Sequence, residues 1–80
     1  MARVKVLLPQ WGMGMSEGTL VKWLKNVGDV VAEDEPLAEI EAEKTTEVIE
    51  SPAAGKITEI LVAEGSTVPV RTPLAVIEKA

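Results

Sequence analysis

The residue best placed to do chemistry in this chain is a lone lysine, Lys44, set in the acidic stretch Glu41-Ala42-Glu43-Lys44-Thr45-Thr46. The nucleophilic and acid–base alternatives are few. Among 80 residues there is no histidine and no cysteine, so the commonest general base, the commonest metal ligand and the thiol nucleophile are all missing. A Ser-His-Asp triad and a zinc site of the usual His/Cys kind are excluded. Glu41 and Glu43 lie two apart and would share one face of a strand, a paired-carboxylate arrangement in principle. So short a chain has no room for a substrate cleft, and the pair reads as a solvated strand face. Lysines are ordinary surface residues, and Lys44 gains meaning only from what holds it.

What holds it reads as two strands. Before it, Pro36-Leu37-Ala38-Glu39-Ile40 puts Ala38 and Ile40 on one face and Glu39 and Glu41 on the other. After it, Thr46-Glu47-Val48-Ile49-Glu50 is rich in β-branched residues and stops at Ser51-Pro52, where proline has no amide for a ladder. The two strands make a hairpin with Lys44 at or beside its tip. Further back, Arg3 to Leu8 alternates with Val4, Val6 and Leu8 on one side, and Pro9 closes it.

Between Gln10 and Glu17 the chain is glycine-rich and aperiodic, a loop. Gly12, Gly14 and Gly18 have a superficial likeness to a nucleotide-binding signature, but the third glycine falls one position late and no βαβ unit fits here. Trp11, Met13 and Met15 gather in this loop, either to cap the core or to meet a partner.

A chain of 80 residues is one domain, and 46% hydrophobic residues, spent on Val, Leu, Ile and Ala with no Phe or Tyr, suit a compact β-fold without disulfides. The net charge of −5, from 13 acidic and 8 basic residues, argues against a nucleic-acid backbone or an anionic membrane as partner. No apolar run approaches the length of a membrane span, and no signal-peptide pattern opens the chain. The absence of cysteine fits a reducing compartment without demanding one.

From Gly18 onward the sequence repeats itself. With Gly55 set under Gly18, a shift of 37 positions, Gly18/Gly55, Leu24/Leu61, Gly28/Gly65, Val31/Val68, Pro36/Pro73, Leu37/Leu74, Ala38/Ala75, Ile40/Ile77 and Glu41/Glu78 are identical. Two such units cannot make a solenoid, but they can make two equivalent sheets related by a pseudo-two-fold axis, a flattened β-barrel or sandwich of about eight short strands. Leu20…Trp23-Leu24 and Ile57…Ile60-Leu61 break the alternation at equivalent places, which predicts a β-bulge or a strand buried on both faces. The position equivalent to Lys44 would fall just past Ala80, so the hairpin is expected opposite the chain ends. Pro9 to Gly18 takes nine steps where Pro52 to Gly55 takes three, so the first half carries six additional residues. They follow a strand expected to pair near the hairpin, which predicts the insertion on the Lys44 side.

These residues together resemble a lipoyl domain of the acyltransferase component of 2-oxo acid dehydrogenase multienzyme complexes, or of acetoin dehydrogenase complexes. The likeness covers Pro9-x-x-Gly12, Glu17-Gly18, Gly28-Asp29, Pro36-Leu37 leading to Glu41-x-x-Lys44, Ser51-Pro52-x-x-Gly55, Gly65 and Pro73-Leu74. The resemblance implies an all-β flattened barrel of two four-stranded sheets with quasi-two-fold symmetry, and lipoic acid in amide linkage on Lys44. It further implies that Glu41 and Gly28 help a lipoate ligase or lipoyl transferase select the lysine, with Glu43 and Thr45 flanking it. The loop Gln10–Glu17, with Trp11, Met13 and Met15, would help a thiamine-dependent decarboxylase recognise the domain. The acyl group would pass to an acyltransferase core, and a flavin dihydrolipoamide dehydrogenase would reoxidise the arm. On this reading the domain is a monomeric, non-catalytic carrier, a module of a longer chain, expected in a bacterial cytoplasm or, as second choice, a mitochondrial matrix.

The tip departs from the family's usual Asp-Lys in having Glu43-Lys44, the same charge one methylene further out. Biotinyl domains share the fold but typically flank the lysine with methionines, where this chain has Glu43 and Thr45. An unmodified structural adaptor is a further alternative, against which the Glu41-x-x-Lys44 pattern speaks.

Overall fold

A computed structural model describes residues 2–10, 14–42 and 45–79. They form eight strands: β1 (Arg3–Leu7), β2 (Glu17–Trp23), β3 (Val30–Val31), β4 (Pro36–Ala42), β5 (Thr45–Glu50), β6 (Gly55–Ile60), β7 (Thr67–Pro69) and β8 (Pro73–Lys79). All pair antiparallel, in two four-stranded sheets of order β1-β8-β6-β3 and β5-β4-β2-β7. The expected all-β flattened barrel with internal two-fold symmetry is therefore the observed fold.

The repeat acts in a way the linear pattern did not specify. Each half supplies four equivalent strands, but neither half makes a sheet alone: β2 and β4 pair with β5 and β7, while β1 and β3 pair with β6 and β8. The two-fold extends to individual bonds. Gly28 N–H donates to Ile57 O at 2.8 Å and Gly65 N–H to Leu20 O at 2.6 Å; Leu24 N–H donates to Leu37 O and Leu61 N–H to Leu74 O, both at 2.8 Å. Both turn glycines have positive φ, 96° and 88°, and the equivalent non-glycine pair Asp34 and Arg71 sits at 68° and 69°.

The break in alternation is a bulge. The register of β2 on β4 slips between Leu20 and Lys22, and that of β6 on β8 between Ile57 and Glu59, leaving Val21 and Thr58 unmatched. One extra residue reverses which face follows, so Trp23 and Ile60 turn inward three positions after Leu20 and Ile57. The strand is not buried on both faces, since Val21 is exposed. A second equivalent pair of bulges falls at Leu37 and Leu74 and lets each leucine face inward together with the alanine after it.

The core lies between the sheets and is itself two-fold: Leu20 with Ile57, Leu37 with Leu74, Ile40 with Ile77, all fully buried, joined by Leu8 and Val31. Each such side chain contributes about 1.5–3 kcal/mol of burial free energy. Ser51 is buried at the β5–β6 link, where its hydroxyl donates to Ala53 O at 2.6 Å. At the chain ends Arg3 pairs with Glu78 and Lys79 N–H donates to Ala2 O at 2.9 Å.

The repeated glycines Gly18 and Gly55 mark close approaches of unequal hardness. A Cβ at Gly55 would collide with the backbone oxygen of Glu78, whereas one at Gly18 would meet the Ile40 Cγ2 methyl at 2.9 Å. Backbone in a central ladder cannot retreat, but a side chain shifts. Gly55→Ala should therefore lose more than about 3 kcal/mol in urea unfolding, and Gly18→Ala about 1–3 kcal/mol.

Lys25 Nζ lies 2.6 Å from Glu35 Oε2, bracing the end of β2 to the β3–β4 turn. The hydrogen bond from Lys25, then that from Ala32 N–H, lowers the Glu35 pKa; the same side-chain bond, then the charge of Glu35, raises that of Lys25. A depressed carboxylate stabilises the fold above its ordinary range and loses that contribution as pH falls through its folded value. The raised lysine contributes below its ordinary pKa and loses that contribution as pH climbs through its folded value. Urea midpoints for Glu35→Gln should consequently fall less than the parent's between about pH 6 and pH 3.

Candidate functional site

The end of the β4–β5 hairpin is the place to which the chain's polar features converge. Ala42 and Thr45 are partners across the ladder. Glu43 and Lys44, which stand between them in sequence, lie outside the described residues, as do Trp11 and Met13. Ala42 is buried, which anchors the end of β4 in the core, while Thr45 is exposed and its Oγ1 donates to Ala42 O at 3.4 Å.

On the outer face Glu41 is exposed, with Thr19 of β2 opposite on one side and Thr46 of β5 on the other. Thr67 of β7 lies across from Thr19, their hydroxyl oxygens 2.7 Å apart. A row Thr67–Thr19–Glu41–Thr46 thus crosses the whole sheet close to the hairpin end. Beside it is an open hollow of about 220 Å³, lined by Ser16, Glu17, Gly18, Thr19, Glu41 and Thr67. Neither Glu17 nor Glu41 has a cation within ion-pair reach among the described residues, so the face is negative. Thr19 and Thr67 were not singled out from sequence, because only the pairing of β7 with β2 brings position 67 to position 19.

The described part of the six-residue insertion reaches this end, though not through its preceding strand. β1 pairs with β8 in the other sheet, which corrects the expectation that it pairs near the hairpin. The insertion arrives instead through β2, with Val70 N–H donating to Ser16 O at 3.0 Å and Gln10 Nε2 to Met15 O at 3.1 Å. Of its three large apolar residues, Met15 is 6% exposed and packs in the core cluster, the capping role.

Gly28 is not brought to the site. It precedes β3 in the sheet that lacks the hairpin, bonded at the level of Ile57, and its positive φ serves the turn there.

The profile of the biotin/lipoyl family, described as "Biotin-requiring enzyme", matches residues 4–77. The chain belongs to that family. This biotin/lipoyl domain is 43% identical, over 92% of its length, to the dihydrolipoyllysine-residue succinyltransferase component of the 2-oxoglutarate dehydrogenase complex of Bartonella vinsonii subsp. berkhoffii, of which it covers 18%. It is 46% identical, over 88% of its length, to the dihydrolipoyllysine-residue acetyltransferase component of the pyruvate dehydrogenase complex of Mycobacterium bovis, covering 13% of that protein. With the dihydrolipoyllysine-residue acetyltransferase component of the acetoin cleaving system of Bacillus subtilis it shares 42% identity over 96% of its length, covering 19% of that chain. The domain therefore spans less than a fifth of each of these relatives. In the solved structure of a single-chain, multi-domain long-chain acyl-CoA carboxylase, 7% of that chain matches 98% of this one at 23% identity with a TM-score of 0.83, a likeness of fold.

Because the biotin/lipoyl domain uses Met15 as a core residue, Met15→Ala should cost about 2–5 kcal/mol in chemical unfolding, the range for truncating a buried methionine. A loss under about 0.5 kcal/mol would place its value in surface contact instead.

Proposed function

We propose that the domain is a swinging-arm carrier of a 2-oxo acid or acetoin dehydrogenase complex, with Lys44 bearing a lipoyl group in amide linkage. The observation that carries the reading is the Ala42–Thr45 pairing. The ladder runs up to the two residues flanking Glu43-Lys44, in a family whose relatives are named for a dihydrolipoyllysine residue. Two strands locked to the core hold the base of the arm, at the end of the barrel away from the paired chain ends.

The residues present suit such a group. Glu41, Thr45 and Thr46 are all exposed, so among the described residues nothing closes over the hairpin end and an attached arm leaves directly into solvent. When bound, a lipoyl group supplies a dithiolane that takes up an acyl group as it is reduced. The chain's own part is position and recognition. Glu41, three residues before Lys44, turns its carboxylate outward toward a lipoate ligase or lipoyl transferase. With Glu17 beside the same hollow, it steers association with basic patches on the thiamine-dependent decarboxylase, the acyltransferase core and the flavin dihydrolipoamide dehydrogenase. Residues 1–80 form one carrier module of a longer acyltransferase chain, working in a bacterial cytoplasm, with no catalysis of its own.

Co-expression with a lipoate ligase followed by mass spectrometry of peptides tests the assignment. One lipoyl group is expected on Lys44, none in Lys44→Ala, and no uptake when a biotin ligase and biotin are supplied instead. A lipoyl mass persisting in Lys44→Ala, or biotin on the parent, overturns it.

A further inference from the structure

Arg71 has a feature that neither the fold nor the carrier role explains. Its φ of 69° lies in the left-handed region, where side chains other than glycine are strained and Asp or Asn least so. The two-fold mate is Asp34 at 68°, a residue type that tolerates this conformation. The turn asks only for backbone: Arg71 N–H donates to Leu8 O at 2.7 Å, as Asp34 N–H donates to Ser51 O at 2.8 Å. Arg71 is exposed, and its guanidinium has no carboxylate within ion-pair reach among the described residues.

Its place gives the side chain a use. Glu17 pairs with Pro69, and Val70 N–H donates to Ser16 O, which puts Arg71 at the hairpin end, on the β7 side of the sheet whose other edge is β5. Strands spaced about 4.8 Å apart put it roughly 10–15 Å from the hairpin. An ordinary interface covers about 800 Å² per partner, a disc of roughly 16 Å radius, so a protein seated on the hairpin also covers Arg71. The other described basic residues stand elsewhere: Arg3, Lys56 and Lys79 toward the chain ends, Lys5 in mid-strand, Lys22 at the far end of β2 and Lys25 just beyond it.

We propose that Arg71 is a specificity residue of the carrier face, its guanidinium receiving a carboxylate side chain of the thiamine-dependent partner as that partner docks over the hairpin. The assignment rests on the carrier reading above. Around Arg71 the face is acidic through Glu17 and Glu41, so its complement is basic. One cation at the rim demands one acidic position in that complement and penalises a uniformly basic surface that lacks it. The planar fork of a guanidinium matches a carboxylate with two parallel hydrogen bonds, which a lysine cannot reproduce.

The test uses Arg71→Gly, which removes the side chain and the backbone strain together, in lipoylated protein. Thiamine-dependent components of pyruvate, 2-oxoglutarate and acetoin complexes are assayed for reductive acylation of the parent, and the one that acylates it is carried forward. The melting temperature of Arg71→Gly should equal or exceed the parent's, and lipoylation of Lys44 should be unchanged. Its kcat/KM for reductive acylation should fall about tenfold, mainly through KM. Arg71→Lys should recover part of the loss and Arg71→Glu should deepen it. Equal acylation of parent and Arg71→Gly, or a lower melting temperature for Arg71→Gly, overturns the proposal. If none of the three components acylates the lipoylated parent, the carrier reading itself fails, and the assignment of Arg71 with it.

Discussion

One additional residue on β4, and its counterpart on β8, set the geometry on which the rest of this domain depends. At Leu37 and Leu74 the ladder slips by one, and both leucines turn inward beside Ala38 and Ala75. Because side chains alternate with period two, that slip decides which face every later residue of β4 occupies. Ile40 and Ala42 point into the core and Glu41 points out because the bulge lies behind them, not ahead. A β4 without it would bury Glu41 and expose Ile40, and the hairpin end would lose both its anchor and its outward carboxylate.

The two halves do not stack as separate sheets; they interlace. Each half lends two strands to either sheet, so neither can bury its leucines without the other. This explains how 80 residues with no disulfide form a core that closes on both sides. On this symmetric frame the two ends differ. At one, the chain ends pair through Arg3 with Glu78; at the other, Met15 and Ser16 of the insertion, the carboxylates of Glu17 and Glu41 and the left-handed Arg71 lie toward the hairpin. Symmetry provides the rigidity, and its local breaks provide a surface for recognition.

Much of this was legible in local pattern. Strand limits followed from prolines and alternation, and the three-residue spacing of Leu20 and Trp23, repeated at Ile57 and Ile60, was a bulge written in sequence. The insertion showed as an unequal count of residues between matching landmarks. Less legible was anything that depends on which strand meets which. The row Thr67–Thr19–Glu41–Thr46 draws on four strands, and no local signal ties position 67 to position 19. Gly28, which the resemblance connected with selection of the lysine by its ligase, lies by pairing beside the other sheet, a placement no local signal announced. Arg71 carried no mark at all, because a left-handed turn is announced by glycine and here the residue is arginine.

The amino-acid sequence by itself determined the fold class, the repeat, the hairpin around Lys44 and the absence of His/Cys chemistry, because these depend on spacing and residue type along one strand at a time. Only the tertiary structure decided that the halves interlace, that Met15 is core, and that hydroxyls, carboxylates and one strained arginine share the hairpin end. Those facts follow from long-range antiparallel pairing, whose partners are chosen by the packing of the whole core and leave no periodic trace in any single segment.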